Sequence, residues 1–311
     1  MNDATIATNP PAARNTSRVL IPLALIGVYL LWGSTYLAIR VALVSYPPFL
    51  MGACRFFIAG LLLFTFLRWR GFAIPNAKQW FNCAVTGTLL LGGGNGLVCF
   101  AEQSVPSGVA AVAVASMPLF AALFAGMYRQ WPNRLETFGL LIGFAGVIVL
   151  NLGGNLRGSP LGALALVGAA ACWAFGSVWS RRRNMPHPIM STAAQMLCGS
   201  VALGFFALLS GERISSVPHL DATLAVGYLI VAGSLLGFSA YVYLLHHVRP
   251  ALATSYAYIN PPIAVLLGVA LGGEAVHALD LLGMAVILAG VVAISLAKNA
   301  VPGTGASKLA R

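Results

Sequence analysis

The sequence predicts an all-α integral membrane bundle of ten transmembrane helices built from two inverted five-helix repeats. Three observations carry that expectation. Only 8% of the 311 residues are charged and 59% are hydrophobic, whereas a soluble domain carries about 25% charged residues. The apolar residues gather into charge-poor runs, each long enough for the roughly 20-residue helix that crosses a bilayer core. Short motifs also return along the chain at a nearly constant offset.

Reading those runs in order gives spans near 19–43, 48–67, 80–101, 107–128, 135–153, 160–180, 188–209, 222–246, 250–273 and 279–298. Arg55 interrupts the second. Residues 1–18 are polar and proline-containing and are expected to form a disordered cytoplasmic N-terminus. The apolar run after them is too long for a signal-peptide core and lacks a clear small-residue cleavage site, so it reads as a retained helix. The organisation is then a first repeat over 19–153, a second over 154–300, and a cytoplasmic tail over 301–311.

The basic residues orient the bundle. With ten spans, both termini and the odd-numbered gaps share one compartment, and they hold fourteen of the 18 Lys and Arg residues, including Arg181, Arg182 and Arg183. The opposite compartment holds Arg157 and Arg213, while Arg40 and Arg55 lie within or beside spans. Such a bias places both termini in the cytoplasm. Nine or eleven spans would scramble it.

The halves repeat weakly. Gly33-Ser34 returns as Gly176-Ser177 and Pro118 as Pro261, each 143 residues on, and ETFGLLIGFAGV at 136–147 matches DLLGMAVILAGV at 280–291. Five spans is an odd number, so the second half enters the membrane upside down, an arrangement that in carriers sets a site near the midplane.

Several functions are set aside at this point. The formal net charge of +11 sits in short gaps between spans rather than on a soluble surface, so nucleic acid is not an expected partner. The five cysteines show no CxxC and no Cys/His spacing of a metal site, and neither metal nor cofactor is expected. An intramembrane hydrolase needs a nucleophile beside a base. His187, His219, His246, His247 and His277 all fall in gaps or at span ends, away from Ser34, Ser116, Ser177 and Ser234, which argues against an enzyme.

What remains are residues that lipid does not favour. Counting at 1.5 Å per residue, Trp32 and Ser34, the Gly92–Asn95 stretch, Ser116 to Pro118, Trp173 and Ser177, Ser234, and Tyr258 to Pro261 fall near one depth. Pro261 and Pro262 lack N–H groups, so the carbonyls of Ala257 and Tyr258 lose their helical partners. Such carbonyls need protein, water or ligand. Tyr256 and Asn260 are four apart on one face; Trp32 and Tyr36 share another. Two readings stand for this set: interhelical packing with polar side chains as glue, or the lining of a wet cavity. For Tyr256 and Asn260 the cavity is preferred, and for Pro118 and Pro261 taken separately, a proline kink. Tyr258, Trp173, Ser177 and Asn95 complete the candidate binding set, and Gly94, Pro118 and Pro261 are candidate hinges. Arg55 lies roughly 10 Å into its span by helical rise. It is expected to pair with Glu102 or to help bind an anionic group, because intramembrane charge is costly alone. Arg40 reads as a snorkelling side chain, and the GxxxG at Gly139–Gly143 as a packing surface.

LLWGSTYLAIR at 30–40, PSGVAAVAVASMPLF at 106–120 and PALATSYAYINPPIAVLLG at 250–268, set in this topology, resemble the drug/metabolite transporter superfamily, closest to its EamA-type exporters and, among those, the YedA-like members. The likeness runs through residues 19–298. It implies a cavity formed by spans 1–4 and 6–9, with spans 5 and 10 outside as packing elements or as the contact of a homodimer. It also implies export of amino acids and other small metabolites. The reading that follows is an inner-membrane exporter of small metabolites working by alternating access, with a small-molecule substrate and the lipid bilayer as its partners. Efflux of lipophilic or aromatic compounds is the alternative, and a non-transporting receptor or scaffold is the alternative of another class.

Overall fold

The computed structural model describes residues 12–129, 131, 134–152, 159–248 and 255–300. Among these every regular element is helical. In chain order the rods are α1 (Ala12–Ala42), α2 (Pro48–Trp69), α3 (Ala77–Ala101), α4 (Ser107–Gly126), α5 (Arg134–Leu152), α6 (Pro160–Ser180), α7 (Pro188–Leu209), α8 (Leu220–Leu244, its last turn reaching His247), α9 (Tyr256–Gly272) and α10 (Ala278–Ala300). Seven of them are long and apolar enough to cross a membrane. The apolar stretches Thr137–Leu150, Ile259–Gly272 and Ala278–Ala293 in α5, α9 and α10 are shorter. The tail over 301–311 lies outside the described residues. Residues Ala12 to Arg18, expected to be disordered, are the start of α1: alanines follow Pro10-Pro11, and alanine carries the highest helix propensity.

The helix ends follow from sequence. Pro48, Pro160 and Pro188 occupy first-turn positions, where a missing N–H costs nothing. Asn76 and Gln79 form a reciprocal capping box at the start of α3. At the ends of α2 and α7 the chain reverses through Gly71 (φ 83°) and Gly211 (φ 67°), conformations open chiefly to glycine. The amides of Phe72 and Glu212 then close onto the carbonyls of Leu67 and Ala207, the Schellman arrangement.

The packing is inside-out relative to a soluble protein. Large apolar side chains face outward along α2 and α7, among them Phe57, Leu61, Phe205 and Leu208, the last 81% exposed. Arg55, Glu102, Ser116, Ser234 and Asn260 are buried. In lipid, apolar exposure carries no cost, whereas unsatisfied polar groups do.

Helix α2 packs along α7, α5 along α10, α1 against α9 and α8, and α6 against α4 and α3. The α5–α10 seam is made of glycines. A Cβ on Gly290 would sit 2.5 Å from the backbone of Gly143, and one on Gly146 would sit 2.6 Å from that of Ile287. The glycine face around Gly139 and Gly143 is therefore occupied within the chain, and a homodimer built on α5 and α10 would have to use their other faces.

Candidate functional site

Two helices depart from α geometry at their centres. Thr88–Asn95 in α3 and Leu229–Leu236 in α8 are π-helical. A π turn is wider than an α turn and is commonly found at functional sites. In α3 it lets Gly93 and Gly94 face α6 while Gly92 faces α7: a Cβ on Gly94 would lie 2.8 Å from the ring of Trp173. In α8 it directs the Gly233 carbonyl to the indole Nε1–H of Trp32, which donates at 3.1 Å. Helix α4 is also interrupted. It breaks at Ala115–Ser116, just before Pro118 in the first turn of the continuing segment.

These irregular stretches surround a chamber that encloses or fronts about 840 Å³ of atom-free space, including space open to solvent. Its wall comes from α1 (Trp32, Thr35, Tyr36, Ile39), α2 (Arg55, Phe56), α3 (Leu91, Asn95, Val98), α4 (Ala111 and the Val114 to Pro118 break), α6 (Trp173), α8 (Phe238) and α9 (Tyr256, Ala257, Asn260, Pro261).

One side of the wall is aromatic. Trp32 meets Tyr256 edge to face at 4.8 Å between ring centroids and contacts Phe238 at 5.1 Å and Tyr241 at 5.2 Å. The other side is polar. Arg55 is 3% exposed; its Nε donates to Ser234 Oγ at 3.0 Å and its Nη1 has no protein partner. Asn260 is 7% exposed, and its Oδ1 likewise has no partner. Asn95 Oδ1 accepts weakly from the Cys99 thiol at 3.6 Å.

Of the residues singled out by sequence, Trp32, Tyr36, Asn95, Trp173, Tyr256, Asn260, Pro118, Pro261 and Arg55 are brought together in this wall. Gly94 stands behind it as the close contact between α3 and α6. Ser177 is half-buried on α6 outside the wall, where its carbonyl accepts from Ser180. Tyr258 is within α9, but its side chain lies outside the described residues.

The charged residues are arranged differently from expectation. Arg55 and Glu102 do not form a contact ion pair: among the described residues the pairs within 4 Å are Arg40–Glu274 and His277–Asp280. Glu102 is 1% exposed at the end of α3, and neither of its oxygens is hydrogen-bonded. Arg40 does not simply snorkel; its Nε lies 3.3 Å from Glu274 Oε1, and its Nη1 donates to the Val105 carbonyl. The Glu274 carboxylate also accepts from the amides of Ser107 (2.8 Å) and Gly108 (3.1 Å) at the start of α4.

Sequence reading missed the contributions of Ile39, Phe56, Leu91, Val98 and Phe238 to the wall. Apolar side chains in apolar helices carry no signal by which a lining position differs from a packed one. Ser234 was noted for its depth, but its service to Arg55 across 179 positions was not foreseen. No group of three or more His, Cys, Asp or Glu side chains suited to a metal is found among the described residues.

An apolar-coated helical bundle around a chamber of rings and a few polar groups is the architecture of a membrane transporter. The chain belongs to the EamA-like transporter family, whose model matches residues 19–152 and 160–296. It is 46% identical over 288 residues to the uncharacterized inner membrane transporter YedA of Escherichia coli strain K12, covering 92% of this chain and 94% of that protein. It is 25% identical to the uncharacterized transporter YoaV of Bacillus subtilis strain 168, covering 80% of this chain and 88% of that one. A crystal structure 23% identical in sequence superposes with a TM-score of 0.62 over 89% of this chain and 97% of its own, a likeness of fold. The protein is thus a membrane transporter and not an enzyme.

Proposed function

We propose that this transporter moves small metabolites, amino acids or related compounds, out of the cytoplasm by alternating access around the chamber. In this reading it is a bacterial inner-membrane protein with ten spans, two inverted five-helix repeats and both termini in the cytoplasm. The observation that carries it is the convergence of Trp32, Trp173, Tyr256, Asn260 and Arg55, from four helices, on one chamber inside an apolar exterior. Several features support the repeat. The family model covers two stretches of similar length, and the π segments lie 141 positions apart, from Thr88 to Leu229. Exchanging the halves turns each helix pairing into another: α1–α9 into α6–α4, and α1–α8 into α6–α3. Fourteen basic residues against two support the orientation.

The interruptions at Ala115–Ser116 in α4 and at Pro261-Pro262 in α9 are the hinges, since backbone hydrogen bonds are already missing there. A second reading, efflux of lipophilic compounds, is favoured by the aromatic group of Trp32, Phe238, Tyr241 and Tyr256.

A thermal-shift screen of the purified protein against metabolites, followed by counterflow of the hits in liposomes, tests the reading. Competition between amino acids and aromatic cations separates the two substrate classes. Asn260→Leu and Trp173→Ala are expected to lower counterflow at least tenfold, about 1.4 kcal/mol of lost solute or transition-state interaction, while leaving the unfolding profile intact. Wild-type flux in both variants would return these residues to packing roles.

A further inference from the structure

The chamber wall holds a buried cation with one edge unpaired. Arg55, on α2, lies in the chamber wall. The protein supports three parts of its guanidinium: Nε donates to Ser234 Oγ at 3.0 Å, the Phe56 ring lies 4.7 Å from Cζ, and Nη2 rests against Gly233, where any Cβ would approach to 3.0 Å. Nη1 is left with nothing to bond.

Guanidinium stays charged in proteins and presents its donors in a fixed fork that suits carboxylate. Burying such a charge without a counter-ion is costly. The carboxylates nearby do not serve it. Glu274 is engaged by Arg40 and by two amides of α4. Among the described residues Glu102 makes no ion pair within 4 Å. The charged and titratable groups interacting electrostatically with Arg55 are Glu102 and Cys99, both from α3.

Resting on the transporter reading of this chamber, we propose that Arg55 is its anion anchor, holding the carboxylate of a small organic acid. Nη1 takes the carboxylate, Asn260 Oδ1 accepts a donor from the solute, and Trp32 and Tyr256 cover its apolar part. The close fit of Nη2 to Gly233 and the Ser234 bond fix the guanidinium in place before the solute arrives, which limits the ordering cost of binding. The substrate class is therefore organic acids, amino acids included through their carboxylates, and organic cations are excluded by like charge.

The test uses the purified full-length protein and pairs of probes that differ only at the charged group: acetate and acetamide, butyrate and butyramide, 3-phenylpropionate and 3-phenylpropionamide. Each is present at up to about 10 mM, enough to fill a millimolar site. At least one acid is expected to raise the melting temperature while its amide does not. Arg55→Gln is expected to weaken that acid's binding at least tenfold, and Arg55→Lys, which keeps the charge but loses the fork, less. The proposal is overturned if no acid protects the wild type, if acid and amide protect alike, or if Arg55→Gln binds the acid normally. Should Arg55→Gln fail to fold, the wild-type comparison decides alone. Counterflow separates this proposal from the one beneath it. Exchange of amides or amines without acids would sink the anion anchor and leave transport standing. An acid that binds through Arg55 with no solute exchanged by the liposomes would do the reverse.

Discussion

The two ends of the bundle are fastened by different chemistry. At the end where α3 meets α4, carboxylates from distant segments sit on helix N-termini. Glu274 takes the first amides of α4, and Glu212 takes those of Phe49 and Leu50 at the start of α2. At the opposite end, arginines after α6 lie on aromatic faces, Arg182 over Tyr128 at 4.3 Å and Arg183 over Trp179 at 4.6 Å. Neutral amides add to this, with Asn82 donating to the Asn184 carbonyl at 2.9 Å. Of two arginines 143 positions apart, Arg40 meets a carboxylate and Arg183 a ring.

The difference teaches where the bundle is held most firmly. A buried carboxylate on backbone N–H groups makes charge-assisted bonds and meets the positive end of the helix dipole. Removing it leaves those donors unsatisfied. An exposed cation–π contact is worth about 0.5–1 kcal/mol. The carboxylate end is therefore the firmer of the two.

Three variants break or sharpen this contrast. Glu274→Gln should have the largest effect, about 2–3 kcal/mol, because one side chain caps α4 and pairs with Arg40. It should also expose a Val105→Cys probe, buried between α3 and α4, to a membrane-impermeant maleimide. Unchanged labelling and melting would remove the latch. Glu212→Gln should cost less, about 1–2 kcal/mol, since its carboxylate is only half-buried and one of its two bonds is long at 3.3 Å. Arg182→Gln should cost at most about 1 kcal/mol and leave the Val105→Cys probe protected. A loss in Arg182→Gln as large as that in Glu274→Gln, read by thermal unfolding, would reverse the ranking of the ends.

Much of the architecture was legible before any coordinates. Charge-poor runs marked the helices to within a few residues, as for 160–180 and 188–209, where proline sits at the first position of each. The depth of Trp32, Trp173 and Asn260 and the proline pair at 261–262 pointed to the chamber, because each is disfavoured in lipid and has to face something else. Other features were not legible. The π turns in α3 and α8 arise from packing between helices, and glycines alone do not announce them. The partner of Arg40 proved to be Glu274, more than two hundred positions away. The partner expected for Arg55 lies near it without pairing.

The sequence by itself determined the medium, the helices and the depth of their polar residues, since each follows from the cost of placing a polar or apolar group in hydrocarbon at a known rise per residue. Only the tertiary structure decided which buried charge is satisfied and which is left unpaired. That depends on distances of a few ångströms between helices far apart in the chain, and no local pattern encodes them.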